Sequence, residues 1–241
     1  YIIYPRERRL GLSTELLNNN GVYTLGVKTL NVTKTNVIEK GIGQVLLESQ
    51  FKTAFEKYFA GVNFDLILYS TPPITFTKVI KYVKKMNPNA MSYLLLKDIF
   101  PQNAVDLGML QTKGIKGVLY KFFRKKEKEL YSISDYIGCM SPANVEYVLK
   151  HNTEINPNIV EVAPNSYDVA PPKSSPKMED LAEIRKKYNL PTDKPIFIYG
   201  GNMGKPQGIP FLLECMKVVA DRTDCHFVIV GSGTEYPKLE E

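Results

Sequence analysis

Two adjacent glycines close the apolar run PIFIYGG. Asn202, Gly204, Lys205, Gln207 and Gly208 then follow before the amphipathic segment IPFLLECMKVVADR begins. Glycine tolerates positive φ and has no β-carbon, so such a backbone can turn sharply and let a ligand approach its amides. The first turn of the following helix adds unpaired N–H groups and partial positive charge, which suits an anion, a phosphate above all. A plain tight strand-to-helix turn would use the same residues. A second loop, VIVGSG at 228–233, repeats the arrangement with Gly231 and Gly233. As a dinucleotide fingerprint G-x-G-x-x-G it fails, because Tyr236 stands where the third glycine belongs, and the first loop has the wrong spacing. Both facts argue against a nicotinamide dehydrogenase.

For acid–base chemistry the candidate is Asp98, beside Lys97 in LLLKDIFPQNAVD. It falls at the end of an expected strand, where ligand-binding residues of parallel sheets collect. A carboxylate there would orient a hydroxyl or act as base. Its alternative role is as the N-cap or turn carboxylate feeding the PQNAVDLG helix. Asn103 and Asp106 are weaker candidates. The stretch STPP at 70–73 follows another expected strand and is placed to touch an acceptor, with a proline-stiffened turn as the simpler reading. Cys139, Cys215 and Cys225 form no C-x-x-C pair, and His151 and His226 are too scattered for a zinc set. A reducing cytoplasm is the expected setting. The net charge of +6 favours anionic partners.

The elements that must position these residues alternate. Strands are expected at 1–5, 21–30, 64–70, 92–99, 136–141 and 159–164. Helices are expected at 37–60, 74–85, 102–110 and 115–134, and over ANVEYVLKH. Short apolar strands alternating with helices predict an α/β fold whose parallel sheet is covered on both faces. Residues 168–177, DVAPPKSSPK, read as a linker. The expected organisation is therefore one domain at 1–167, the linker, and the start of a second domain at 178–241. The chain opens as a strand already under way and closes one turn into a helix. It is expected to be part of a larger protein.

Several segments taken together carry a family resemblance. YGGNMGKPQGIPFLLE and FVIVGSGTEYPKLEE resemble the first strand–loop–helix, and the next strand and loop, of the donor domain of GT-B fold nucleotide-sugar glycosyltransferases, retaining family 4. EVAPNSYDV is similar to that family's crossing segment I-P-N-G-V-D. ISDYIGCMSPANVEYVLKH and LLLKDIFPQNAVDLGML resemble the acceptor domain of a subgroup acting on bacterial surface polysaccharides. The resemblance runs from about residue 64 to the end. It implies two Rossmann-like doubly wound domains, the second incomplete and the first lacking its opening strand. It also implies a hexosyltransferase-type enzyme that moves a sugar, with retention, from a nucleoside-diphosphate sugar to a lipid-linked saccharide, without metal or further cofactor. Gly200, Gly201, Asn202, Gly204, Lys205, Gln207, Gly208, Gly231 and Gly233 would face the donor phosphates, and Asn165 and Ser166 would line the interdomain cleft. The sequence departs from the family at Asn202 and Gln207, where many members carry arginine and lysine. The family's acidic pair would lie beyond Glu241, so the 241 residues alone are expected to be inactive. The alternative is a non-catalytic sugar-nucleotide or phosphate-binding module, or a regulatory subunit.

One further stretch, KGIKGVLYKFFRKKEKELY at 113–131, joins lysines to aromatics. On a helix, Ile115, Val118, Leu119 and Phe122 share a side, with much of the basic charge elsewhere. Lys116, Phe122, Phe123, Arg124, Lys125 and Lys126 are expected to meet an anionic membrane surface, at about 1 kcal/mol per basic residue. An ordinary packed helix with a solvated basic back is the other reading. Nucleic acid is not expected as a partner, since no recognition motif occurs. The protein is placed in the cytoplasm, peripheral at the inner face of a bacterial membrane.

Overall fold

The structure, a computed structural model, describes residues 1–32, 37–114, 116–167, 169 and 178–239. The expected linker at 168–177, Val169 apart, and Ile115 lie outside the described residues. The chain divides into two compact units, Tyr1–Ser166 and Tyr167–Glu241.

The first unit opens with β1 (Ile2–Glu7), β2 (Glu15–Asn19) and β3 (Val22–Thr29) in one sheet of order β1-β3-β2. β1 runs parallel to β3, and β2 pairs with β3 antiparallel. Strand β2 is absent from the sequence-based expectation, because ELLNN is too polar to read as a strand. The signal for it lies in the turn: Asn20 and Gly21 both adopt positive φ, at 51° and 85°. Such a two-residue loop matches the twist of an antiparallel hairpin.

The chain then runs through α1 (Val37–Tyr58), β4 (Leu66–Ser70), α2 (Thr77–Met86), β5 (Met91–Leu96), α3 (Gln102–Asp106), α4 (Lys116–Ser132), β6 (Tyr136–Cys139), α5 (Pro142–His151) and β7 (Val160–Val162). Strands β4-β5-β6-β7 form a wholly parallel sheet in that order. Ser141 starts α5: its hydroxyl accepts from the Asn144 amide at 3.2 Å, and Pro142 opens the first turn.

The core lies between this sheet and its helices, around Phe51, Phe55, Phe59, Ile80, Leu94, Leu96, Leu130 and Ile137. Burial in β4 alternates: Ile67 and Tyr69 point inward, while Leu66 and Leu68 are more than half exposed. Tyr136 and Val162 are exposed too. The expected single sheet covered on both faces is thus corrected to two sheets, one of which shows apolar side chains to solvent.

The second unit contains α6 (Met178–Lys187), β8 (Ile196–Asn202), α7 (Ile209–Val218) and β9 (His226–Ser232), with β8 and β9 parallel. Here β8 does not stop at its two glycines. Gly200, Gly201 and Asn202 continue the ladder opposite Val230, Gly231 and Ser232. Glycine is a poor strand former, but pairing to β9 outweighs that preference. The intervening loop shrinks to Met203–Gly208, and α7 ends at Val218, short of the expected Arg222.

Candidate functional site

The turns after β8 and β9 are built into each other. Met203 is fully buried. Its amide donates to the Ser232 carbonyl at 2.9 Å, and its carbonyl accepts from the Glu235 amide at 2.8 Å. Close approach explains the second pair of glycines. A β-carbon at Gly231 would lie 1.9 Å from the Gly201 carbonyl oxygen, and one at Gly233 would lie 2.3 Å from the Met203 carbonyl oxygen. Neither contact can be relieved by a side-chain rotation, since the obstacle is backbone. Gly200 and Gly201 are different: a β-carbon at Gly200 meets nothing within 4 Å, and one at Gly201 meets only the Tyr199 hydroxyl at 3.8 Å. Their bareness leaves open surface rather than tight packing.

Between these points, Lys205–Gln207 form a short 3-10 turn, and Gly208 at φ +64° redirects the chain into α7. The Gln207 side-chain oxygen accepts from the Gly204 amide at 3.1 Å and from the Asn202 side-chain amide at 3.3 Å. The Gln207 amide donates to the Gly204 carbonyl at 3.1 Å, and the Gly208 amide to the Lys205 carbonyl at 3.3 Å. Three of the residues expected to face an anion, Gly204, Gln207 and Gly208, therefore have their amides already engaged, as does Met203 between them. Asn202 and Gln207, where charge is expected by resemblance, instead hold one another. The amides of Lys205, Gly233 and Thr234 donate to no group among the described residues. The Lys205 side chain is exposed and forms no ion pair among them. Among the described residues, this unit therefore offers an anion the amides of Lys205, Gly233 and Thr234, the exposed Lys205 ammonium and the uncovered backbone of Gly200 and Gly201.

In the first unit, the turns after β4 and β5 are joined by Thr71, within the STPP stretch. The buried Thr71 hydroxyl donates to the Asp98 carbonyl at 3.1 Å, and its amide donates to Leu95 at 3.1 Å. Asp98 itself projects an exposed carboxylate with no partner among the described residues. It caps no helix: α3 starts after Pro101, and no side chain caps it. Asp106 accepts from the Gln102 side-chain amide at 2.8 Å. The side-chain oxygens of Thr75, Thr77 and Asn103 are buried without a hydrogen-bond partner, all in elements that follow β4 or β5. Periodicity gives no hint of such orphaned atoms. Asn165 and Ser166 are exposed at the end of this unit, and neither side chain bonds a described neighbour.

Helix α4 sorts its basic residues into two groups. Arg124 turns inward. It donates to Glu127 at 2.5 Å, to the His151 carbonyl at 2.8 Å and to the Asn152 side-chain oxygen at 2.6 Å. Glu127 also accepts from the Tyr131 hydroxyl at 2.7 Å. Burial pushes the Glu127 pKa up, against the lowering pull of Tyr131 and Arg124. Arg124 therefore joins α4 to α5 and is not a surface charge, which corrects that expectation. Lys126 pairs with Glu129 at 2.8 Å. Lys121 and Lys125 lie exposed without an ion pair among the described residues, next to exposed Val118, Leu119 and Phe122. Phe123 is half-buried, its ring centroid 5.0 Å from that of Phe100. The Lys116 side chain lies outside the described residues. Of the thiols, Cys139 is buried and its pKa is pushed up to about 11 by desolvation, which keeps it from acting as a nucleophile. No cluster of three or more His, Cys, Asp or Glu able to hold a metal occurs among the described residues. Nor is any described helix long and apolar enough to cross a membrane.

Known proteins share parts of this arrangement. No protein-family model matches the chain. Over 61 residues it is 38% identical to Alpha-D-kanosaminyltransferase of Streptomyces kanamyceticus, a stretch covering 25% of this chain and 16% of that protein. Over 210 residues it is 22% identical to Probable glycosyltransferase WbjE of Pseudomonas aeruginosa, covering 83% of this chain and 47% of that protein. Among solved structures, one described as trehalose-6-phosphate from E. coli bound with UDP-2-fluoro glucose superposes with a TM-score of 0.62 at 9% identity. The match covers 98% of this chain and 58% of that one. The chain thus has the mixed α/β, parallel-sheet fold of a GT-B glycosyltransferase and is glycosyltransferase-like in sequence. The matched stretch spans less than half the length of both curated relatives.

Proposed function

We propose that these residues belong to a retaining, family 4 hexosyltransferase that moves a sugar from a nucleoside-diphosphate sugar to a lipid-linked saccharide. The observation that carries this reading is the pair of interlocked turns after β8 and β9, which leave the Lys205, Gly233 and Thr234 amides without a partner among the described residues, alongside the bare backbone of Gly200 and Gly201. A diphosphate would accept from those amides, and Lys205 would meet part of its charge. As the glycosidic bond to the nucleotide breaks, negative charge grows on the departing phosphate oxygens. Fixed N–H donors stabilise that charge without reorganising. In the first unit, Asp98 would orient the acceptor hydroxyl, being exposed, without a carboxylate partner among the described residues, and at a strand's carboxyl end. The relatives' names, and the UDP-sugar analogue held by the structural neighbour, support the donor class. No metal or further cofactor enters this reading.

Calorimetric titration of the chain with UDP and with inorganic pyrophosphate tests it. Binding of UDP should weaken about tenfold or more in Lys205→Ala, the size of a lost charge-assisted hydrogen bond. Absence of binding at millimolar UDP, or an unchanged affinity in the variant, would overturn it. A non-catalytic phosphate-binding module is the second reading, favoured by the uncharged Asn202–Gln207 pair. In the parent enzyme, Asp98→Asn would separate the two, abolishing transfer in one and touching nothing in the other.

The acceptor side adds a surface at the inner face of a bacterial membrane. Val118, Leu119 and Phe122 would enter the lipid interface while Lys121 and Lys125 meet anionic headgroups. Co-sedimentation with vesicles of phosphatidylglycerol and phosphatidylcholine should fall several-fold in Phe122→Asp. Equal binding to pure phosphatidylcholine would count against it.

A further inference from the structure

Between α1 and the β2–β3 hairpin of the first unit lies a recess of about 360 Å³. Its α1 wall is a single stripe, because Gln50, Thr53, Ala54 and Lys57 stand at i, i+3, i+4 and i+7 on the helix. Where Leu47, Phe51 and Phe55 of the same helix fill the core, Ala54 leaves room. The buried Val27 and Ala54 make an apolar floor.

The polar groups around that floor are donors. Lys28 on β3 and Lys57 on α1 are exposed, and neither forms an ion pair among the described residues. The carboxylates next to lining residues in sequence are committed elsewhere: Glu15 to Arg6, Glu56 to Lys52 and Glu48 to the Lys78 amide. The Thr14 oxygen accepts from the Lys28 amide at 2.9 Å, which leaves its proton to give. Thr53 has no hydrogen-bond partner among the described residues. Gln50 buries its Oε1 without one, leaving its amide nitrogen as the end able to donate. Two uncompensated ammonium groups ringed by hydroxyl and amide donors suit a dianion, and the floor suits a carbon body.

We propose that this recess binds a small organic phosphate monoester. Such a group carries close to two negative charges at neutral pH and three oxygens that accept hydrogen bonds. Lys28 and Lys57 meet the charge, while Val27, Ala54 and the Tyr58 ring carry the ester's carbon atoms. The volume stands at the small end of ligand sites, which run from roughly 300 to 1,000 Å³, so the occupant is short. A soluble ester and the headgroup of phosphatidic acid share this chemistry. The inference is independent of the donor reading, since no residue of the second unit lines the recess.

Calorimetric titration of the chain with glycerol 3-phosphate tests it. Saturable binding in the millimolar range or below is expected, weakened about fivefold or more in Lys28→Gln and in Lys57→Gln. Thr53→Phe, which fills the recess without changing its charge, should abolish binding. All three side chains are exposed, so urea midpoints are expected to hold. No saturation at millimolar ester, or full affinity in the double lysine variant, would overturn the proposal. So would glycerol binding as tightly as its phosphate, or a loss that follows Lys205→Ala instead, which marks binding at the turn after β8. Competition by phosphatidic acid vesicles that vanishes in the double variant assigns the phosphate to a headgroup, and absence of competition assigns it to a soluble ester; both uphold the site.

Discussion

The two units distribute burial in opposite ways. In the first, the buried side chains belong to sheets and helices, from Leu25 through Phe55 to Val148, while the Asp98 turn stays at the surface. In the second, the fully buried large side chains among the described residues are Met203 and Ile209, which stand at the two ends of the turn itself. The flanking β8 and α7 are bare by contrast, with Ile198 71% and Phe211 70% exposed. A turn packed this way is held by its own centre, and a turn laid on a finished sheet is held by what lies beneath it. The difference teaches that the glycine turn is fixed by its own packing, while the Asp98 turn lies on a sheet that supports it from below.

The sharpest way to break that contrast is Gly231→Ala. Its β-carbon would collide with the Gly201 carbonyl, so the turns must separate, at a cost of about 3 kcal/mol or more. Gly200→Ala, one strand away and facing open space, should change stability by no more than about 0.5 kcal/mol. Urea unfolding of both variants checks the pair, and equal effects would dissolve the distinction between packed and bare glycines. In the first unit the comparable test is Glu127→Ala, which strips the buried partner from Arg124 and the acceptor from Tyr131. A loss of about 3 kcal/mol is expected there, with exchange in β8 and β9 unaltered.

A smaller loss than at Glu127 is expected at Asp135, which accepts from Lys84 at 2.6 Å and from the Ser92 amide and hydroxyl at 2.7 and 2.8 Å. Burial raises its pKa, but the bonds from Lys84 and Ser92 outweigh that and hold it below the usual 3.8. A carboxylate depressed on folding contributes stability above its unfolded pKa and loses it as pH falls through the folded value. Thermal melts should therefore show acid destabilisation below pH 3.8 that is reduced in Asp135→Asn. At neutral pH that variant should cost only about 1 kcal/mol, because the site is partly exposed.

The α/β class and both glycine turns could be read from residues, since apolar runs and glycine placement are local properties. What stayed hidden depended on partners distant in sequence. β8 crosses its glycines because β9 pairs with them. Arg124 and Lys125 are neighbours with the same charge, yet only Arg124 reaches Asn152, 28 positions away. Gln207 is chemically able to bind phosphate, but its oxygen is taken by Gly204 and Asn202. The β2 hairpin was within reach, through Asn20-Gly21, and was obscured by the polar residues of the strand itself.

The thioether of Met203 also acts as a timekeeper. Peroxide converts methionine to a bulkier, polar sulfoxide, and at Met203 it gains access only while the two turns are parted. The rate of sulfoxide formation there, set against the freely exposed Met109, counts how often the second unit opens.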